Sequence, residues 1–164
     1  MNAIPSTEDP CRQVLDLLSQ GAGLGTIFGY TADEYEALYA LGHDHYSQQR
    51  YLDAAKCFSF LMAHQSLEPR YMNAFAACMQ MLKRYKEAIQ YYSTASVLDL
   101  EDPLPTFHTA ECFIALEMRE QASEALTLVV AQCQQTAFAE LAQRAQALLE
   151  LLTGSGAPTE EQAQ

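Results

Sequence analysis

Between residues 32 and 152 the apolar positions recur three or four apart, the spacing that gives a helix one buried face, and the pattern breaks at regular intervals. This spacing predicts helices over about 32–48, 51–65, 69–82, 85–98, 105–115 and 119–132, and a last one over about 136–152 with Phe138, Leu141, Ala145, Leu148, Leu149 and Leu152 as its stripe. An earlier helix is predicted over about 10–19, where Val14, Leu15, Leu17 and Leu18 form an apolar face. Gly21, Gly23 and Gly25 then interrupt the pattern, and Ile27, Phe28 and Tyr30 are apolar enough that they should dock on the body that follows. Thr31 and Glu34 stand at the spacing of a capping box for the next helix.

The pattern also repeats itself. Gly42, Ala76 and Ala110 stand 34 residues apart, as do Ala54, Ala88 and Ala122, and Phe58, Tyr92 and Leu126. Leu61, Ala95 and Val129, the pair Tyr51 and Tyr85, and the pair Pro69 and Pro103 follow the same step. A period of about 34 residues with small residues at two set places is the signature of the tetratricopeptide repeat, a helix–turn–helix unit that buries its apolar face only by stacking. The expectation is an all-α superhelical stack of three repeats over residues 32–152, with one continuous core and the last helix as its solvating cap. Residues 10–31 form an N-terminal helix and connection in this reading. Residues 1–9 and the acidic tail 153–164 carry no pattern and are expected to be disordered.

The phase of the repeat separates two kinds of position. The small residue of each first helix faces the second helix, so positions three before, one after and four after it turn toward the concave side of the stack. They are Tyr39, His43 and Tyr46 in the first repeat, Asn73, Ala77 and Gln80 in the second, and Phe107, Glu111 and Ile114 in the third. Aromatic rings there suit apolar side chains of a ligand, and Asn73, Gln80 and Glu111 suit the main-chain amides and carbonyls of an extended peptide.

Composition then narrows the class. A formal net charge of −12 lacks the clustered Lys and Arg that phosphate backbones and anionic membranes require, so neither nucleic acid nor a membrane is expected as partner. No apolar run is long enough to span a bilayer and the first residues do not read as a secretory signal, which points to the cytosol. The 5 cysteines, Cys11, Cys57, Cys78, Cys112 and Cys133, form no Cys-x-x-Cys pair, and they read as small buried hydrophobes rather than as disulfides or metal ligands. His43 and His45 lie two apart, on different sides of a helix, and no nucleophile, phosphate loop or metal motif accompanies them. No catalytic residue, metal site or cofactor is expected, and the chain is not expected to be an enzyme.

The segment Gly21 to Phe28, the run Leu38 to Tyr46, the Ala76 to Gln80 run and above all Phe107-His108-Thr109-Ala110-Glu111-Cys112 together resemble the class II chaperones of bacterial type III secretion systems, the LcrH/SycD-like family. The resemblance covers about residues 11 to 152. It implies a bacterial cytoplasmic chaperone that holds an extended N-terminal segment of hydrophobic translocator proteins in the concave groove, keeping them soluble and competent for export. It implies that Tyr39, His43, Tyr46, Asn73 and Ala77 receive the anchors. At His43 relatives often carry an aromatic or apolar residue, and the imidazole adds a group that titrates near neutrality. The face of Val14, Leu15 and Leu18 folds back on its own repeats or packs against another copy, and the resemblance favours a homodimer. Two further readings compete: a co-regulator that partners a transcription activator, and a generic repeat scaffold for another complex.

Overall fold

The computed structural model describes residues 29–133 and 138–154, and within them every element is helical. Seven helices follow one another: α1 (Ala32–Ser47), α2 (Tyr51–His64), α3 (Pro69–Met81), α4 (Tyr85–Leu98), α5 (Leu104–Ala115), α6 (Arg119–Gln132) and α7 (Ala139–Gly154). Each packs chiefly on its neighbours in sequence, so the chain is a stack of antiparallel pairs, α1 with α2, α3 with α4 and α5 with α6, closed by α7. The expected helix at 10–19, and Ile27 and Phe28, lie outside the described residues.

The starts of the helices follow from local chemistry. Thr31 caps α1 as the spacing with Glu34 predicts: its Oγ1 accepts from the Glu34 N–H at 3.3 Å and its own N–H donates to the Glu34 carboxylate at 2.8 Å. Pro69 opens α3, where the missing N–H has no helical partner to lose, and the Glu68 side chain accepts from the Arg70 N–H. The helix α5 begins one residue before the expected position, with Pro103 as its cap residue and Asp102 Oδ1 accepting from the Leu104 N–H at 2.9 Å.

The turns inside the repeats show a periodicity that the side chains do not announce. Gln49, Lys83 and Glu117 each take φ near 60°, the left-handed region, at the same step of the repeat. At each turn two carbonyls left open by the first helix are paired: Gln49 and Arg50 N–H reach Tyr46 and His45, both at 2.9 Å, Lys83 and Arg84 N–H reach Gln80 at 2.9 Å and Met79 at 2.8 Å, and Glu117 and Met118 N–H reach Ile114 at 3.0 Å and Phe113 at 2.9 Å. This is the glycine-type helix ending made with ordinary side chains.

The small and large repeat positions are buried as their phase requires. Ala54, Ala88 and Ala122 are fully buried, as are Ala76 and Ala110, with Phe58, Tyr92 and Leu126 filling the space beyond them. The first repeat needs glycine, because a Cβ at Gly42 would stand 2.6 Å from Phe58 Cε1. The core is not the single expected body. One cluster runs through the first two repeats and ends at Tyr92 and Cys112, and a second joins Phe107, Ala110, Leu126 and Val129 to Leu141 and Ala145 of α7. At the first end of the stack Tyr30 docks as expected, its ring 5.2 Å from His64 and 5.7 Å from Phe60. None of the described helices is long and apolar enough to cross a membrane.

Candidate binding groove

The first helices α1, α3 and α5 line the concave side, and between them lies a pocket of about 270 Å³. Tyr39 and His43 of α1 form one wall, Asn73, Ala74 and Ala77 of α3 the floor, and Leu104, Pro105 and His108 of α5 the opposite wall. Four of the groove positions taken from the repeat phase, Tyr39, His43, Asn73 and Ala77, therefore meet around one cavity.

The aromatic wall is built by stacking. The Tyr39 ring stands 4.5 Å from the His43 ring, 5.7 Å from Phe58 and 5.5 Å from Tyr71, all edge-on or tilted. Over its other side lies the Arg70 guanidinium, 5.2 Å from the ring centre. Arg70 is held there by Glu36 of α1 at 2.8 Å and Glu68 at 3.2 Å, so this cation staples the first two repeats together along the rim. Burial pushes the Tyr39 phenol up and the His43 imidazole down, which keeps both neutral.

Beyond Ala77 the concave face turns polar and self-satisfied. Tyr92 donates to Gln80 Oε1 at 2.9 Å, and Gln80 Nε2 donates to Glu111 at 3.2 Å. His108 Nδ1 meets the same Glu111 oxygen at 2.8 Å while its ring stacks on Tyr92 at 5.3 Å. Arg144 reaches over from α7 to the other Glu111 oxygen at 3.7 Å. Burial raises the Glu111 carboxyl, but hydrogen bonds from His108 and Gln80 and the neighbouring positive charge outweigh it and hold it below the usual carboxylate range. Gln80 and Glu111 are thus bonded to each other and to two residues of the pocket lining, Tyr92 and His108, without lining the pocket themselves.

Phe107 does not belong to the groove. It is 1% exposed and sits in the second core cluster, with the Arg144 guanidinium 4.8 Å from its ring centre. The helix α7 occupies the concave surface beside α5 as a fourth first-helix would, and so buries what an open third repeat would expose. Tyr46 is half-buried, edge-on to Tyr51 at 5.3 Å, and Ile114 is half-buried as well; neither lines the pocket. Val14, Leu15 and Leu18 lie outside the described residues.

Side chains at two further phases of the first helices also line the pocket, together with Pro105, Asp102 and Tyr92. Arg70 and Leu104 stand six residues before the small reference residue, and Ala74 and His108 two before it. The same 34-residue bookkeeping carried to those positions would have found them. Burial pushes the thiols of Cys78 and Cys112 up to about 12, which suits core packing and leaves them protonated at neutral pH.

No family model matches the sequence. Individual proteins do. The chain is 31% identical over 138 residues to the low calcium response locus protein H of Yersinia pestis, covering 82% of this chain and 81% of that one. It is 30% identical to the chaperone protein SicA of Salmonella dublin, covering 76% and 75%. Among solved structures, a type III secretion complex from Aeromonas hydrophila superposes with a TM-score of 0.82 at 30% identity, over 88% of this chain and 97% of that one. PcrH, known from Pseudomonas aeruginosa, in complex with the chaperone binding region of PopD, gives 0.75 at 35% identity, over 79% and 98%. The translocator chaperone SycD of Yersinia enterocolitica in complex with a peptide of the translocator YopD gives 0.74 at 30%, over 77% and 98%. A shared helical stack, shared length and identity spread across four-fifths of the sequence lead to one conclusion: this chain belongs to the class II chaperones of type III secretion translocators.

Proposed function

We propose that this protein is a cytoplasmic chaperone that holds an extended, apolar segment of a type III translocator in its concave groove. The observation that carries the reading is the open pocket between Tyr39 and His108, whose walls are aromatic and aliphatic and which the protein's own α7 leaves uncovered. Relatives with the same stack have been solved with peptides of YopD, PopD and PopB, which supports a peptide as the occupant.

The mechanism needs no bond to be made or broken. A translocator must be apolar enough to enter a membrane, so its segment aggregates if left exposed in water. Tyr39, His43, Ala74, Ala77, Leu104 and Pro105 supply an apolar trough for its side chains. The rim charges of Arg70 and Asp102 and the net charge of −12 keep the complex in solution. Dimerisation through the Val14, Leu15 and Leu18 face belongs to the same proposal. Light scattering of a chain lacking residues 1–20 tests it, and an unchanged mass removes that interface.

The direct test is coexpression with a type III translocator, beginning with those whose segments the relatives bind, YopD, PopD and PopB. The translocator is expected in the soluble fraction with the wild-type protein and in the pellet with Tyr39→Ala. Equal solubility with both proteins would overturn the groove reading.

A further inference from the structure

Several hydrogen-bonding side chains on the concave face have their partners within the molecule. Gln80, Glu111, His108 and Tyr92 bond one another, and Arg70 is committed to Glu36 and Glu68. Asn73 differs: its Oδ1 is buried and accepts no hydrogen bond, the one side-chain atom of the pocket lining in that state among the described residues. A carboxamide oxygen in that state has given up water without replacement, which folded proteins tolerate at few places and commonly at sites that take a ligand.

The surroundings of Asn73 say what the missing donor is. Ala74 and Ala77 offer no side-chain donor, and the nearest strong donors on the rim are already held by carboxylates. The donor must come with whatever fills the pocket. An extended segment carries one at each residue except proline, the main-chain N–H, and successive N–H groups point to opposite sides.

We propose that Asn73 sets the register of the bound segment: its Oδ1 accepts the main-chain N–H of one ligand residue lying over the pocket of about 270 Å³ between Tyr39 and His108. This assignment rests on the groove reading above. It makes Asn73 a specificity-determining residue, because a slip of one residue turns that N–H away and leaves the oxygen unpaired again. The ligand position over Asn73 excludes proline and tolerates varied apolar side chains.

Backbone N-methylation tests this directly. Peptides spanning the chaperone binding regions of PopD and PopB, and the YopD peptide, are methylated at one main-chain nitrogen at a time. Their binding is then measured by fluorescence anisotropy to wild type, Asn73→Leu and Tyr39→Ala. One methyl position is expected to weaken wild-type binding about tenfold, and the same lesion to change Asn73→Leu binding less than about twofold. Asn73→Leu should melt no lower than wild type, since it removes an unpaired polar atom; should it fail to fold, Asn73→Ala is read in the same way. If Tyr39→Ala loses binding but the methylation profiles of wild type and the Asn73 variant coincide, the Asn73 assignment is overturned and the groove stands. Peptides that bind wild type and Tyr39→Ala alike, or neither, overturn both.

Discussion

Gly42 lies so close under the Phe58 ring that an added Cβ would stand 2.6 Å from Cε1 and 2.8 Å from Cζ. The other two repeats carry Ala76 and Ala110 at this place, opposite Tyr92 and Leu126 at the Phe58 position. Glycine here therefore fits one particular ring and is not a general need of the repeat. Since Phe58 is fully buried and also edges onto Tyr39 and His43, moving it disturbs the groove wall. Gly42→Ala is expected to lower stability by about 1–3 kcal/mol despite alanine's better helix propensity. Urea denaturation measures it, and a gain in stability would show that the ring moves freely.

Lys83 has the opposite problem. Its φ of 60° costs a side-chain-bearing residue energy that glycine does not lose. Lys83→Gly is expected to raise stability by about 0.5–1 kcal/mol, after allowing for glycine's freer unfolded chain. Gln49→Gly and Glu117→Gly should act alike, and the three should add, because the turns share no partners. Thermal melts of the single and triple variants check this, and Lys83→Ala should show no such gain.

Tyr39 and Phe107 occupy the same phase of the repeat and have different fates. Phe107→Ala empties a fully buried site in the second core cluster and is expected to cost about 3–5 kcal/mol. Tyr39 is only half-buried, so Tyr39→Ala should cost clearly less stability while removing peptide binding. Denaturation midpoints and peptide titrations on both variants separate the two roles. A Tyr39→Ala protein that unfolds as readily as Phe107→Ala would place Tyr39 in the core.

His43 links the groove to pH. Burial lowers its imidazole from the ordinary value of 6.5, so the unfolded chain binds this proton more readily than the folded one. The stability it contributes is therefore present above about pH 6.5 and lost as pH falls through the lower, folded value. A ligand lying over His43 buries it further, so affinity should weaken as pH falls below about 6.5 in the wild type and not in His43→Phe. Parallel titrations across that range decide it, and superimposable profiles would remove His43 as the cause.

What could be read without coordinates was whatever repeats. The 34-residue step placed the described helices within a few residues, put Ala54, Ala88 and Ala122 between paired backbones, and brought Tyr39, His43, Asn73 and Ala77 to one side. Periodicity works there because a helix presents one face at a set interval and the same packing recurs at every step. It failed where the environment does not repeat. Phe107 has the phase of Tyr39, but α7 buries it, whereas α3 leaves Tyr39 half-buried beside the groove. The left-handed turns at Gln49, Lys83 and Glu117 left no trace in residue type, because backbone hydrogen bonds and not side chains hold them.

Sequence alone thus determined the helices, their order and the face each turns inward, since these depend on residues three or four apart in one chain segment. Only the tertiary structure decided which concave positions stay open. Contacts between helices distant in sequence bury Phe107 under α7, tie Gln80 to Glu111, hold Arg70 against Tyr39, and leave Asn73 Oδ1, an acceptor at the pocket, buried and unmet.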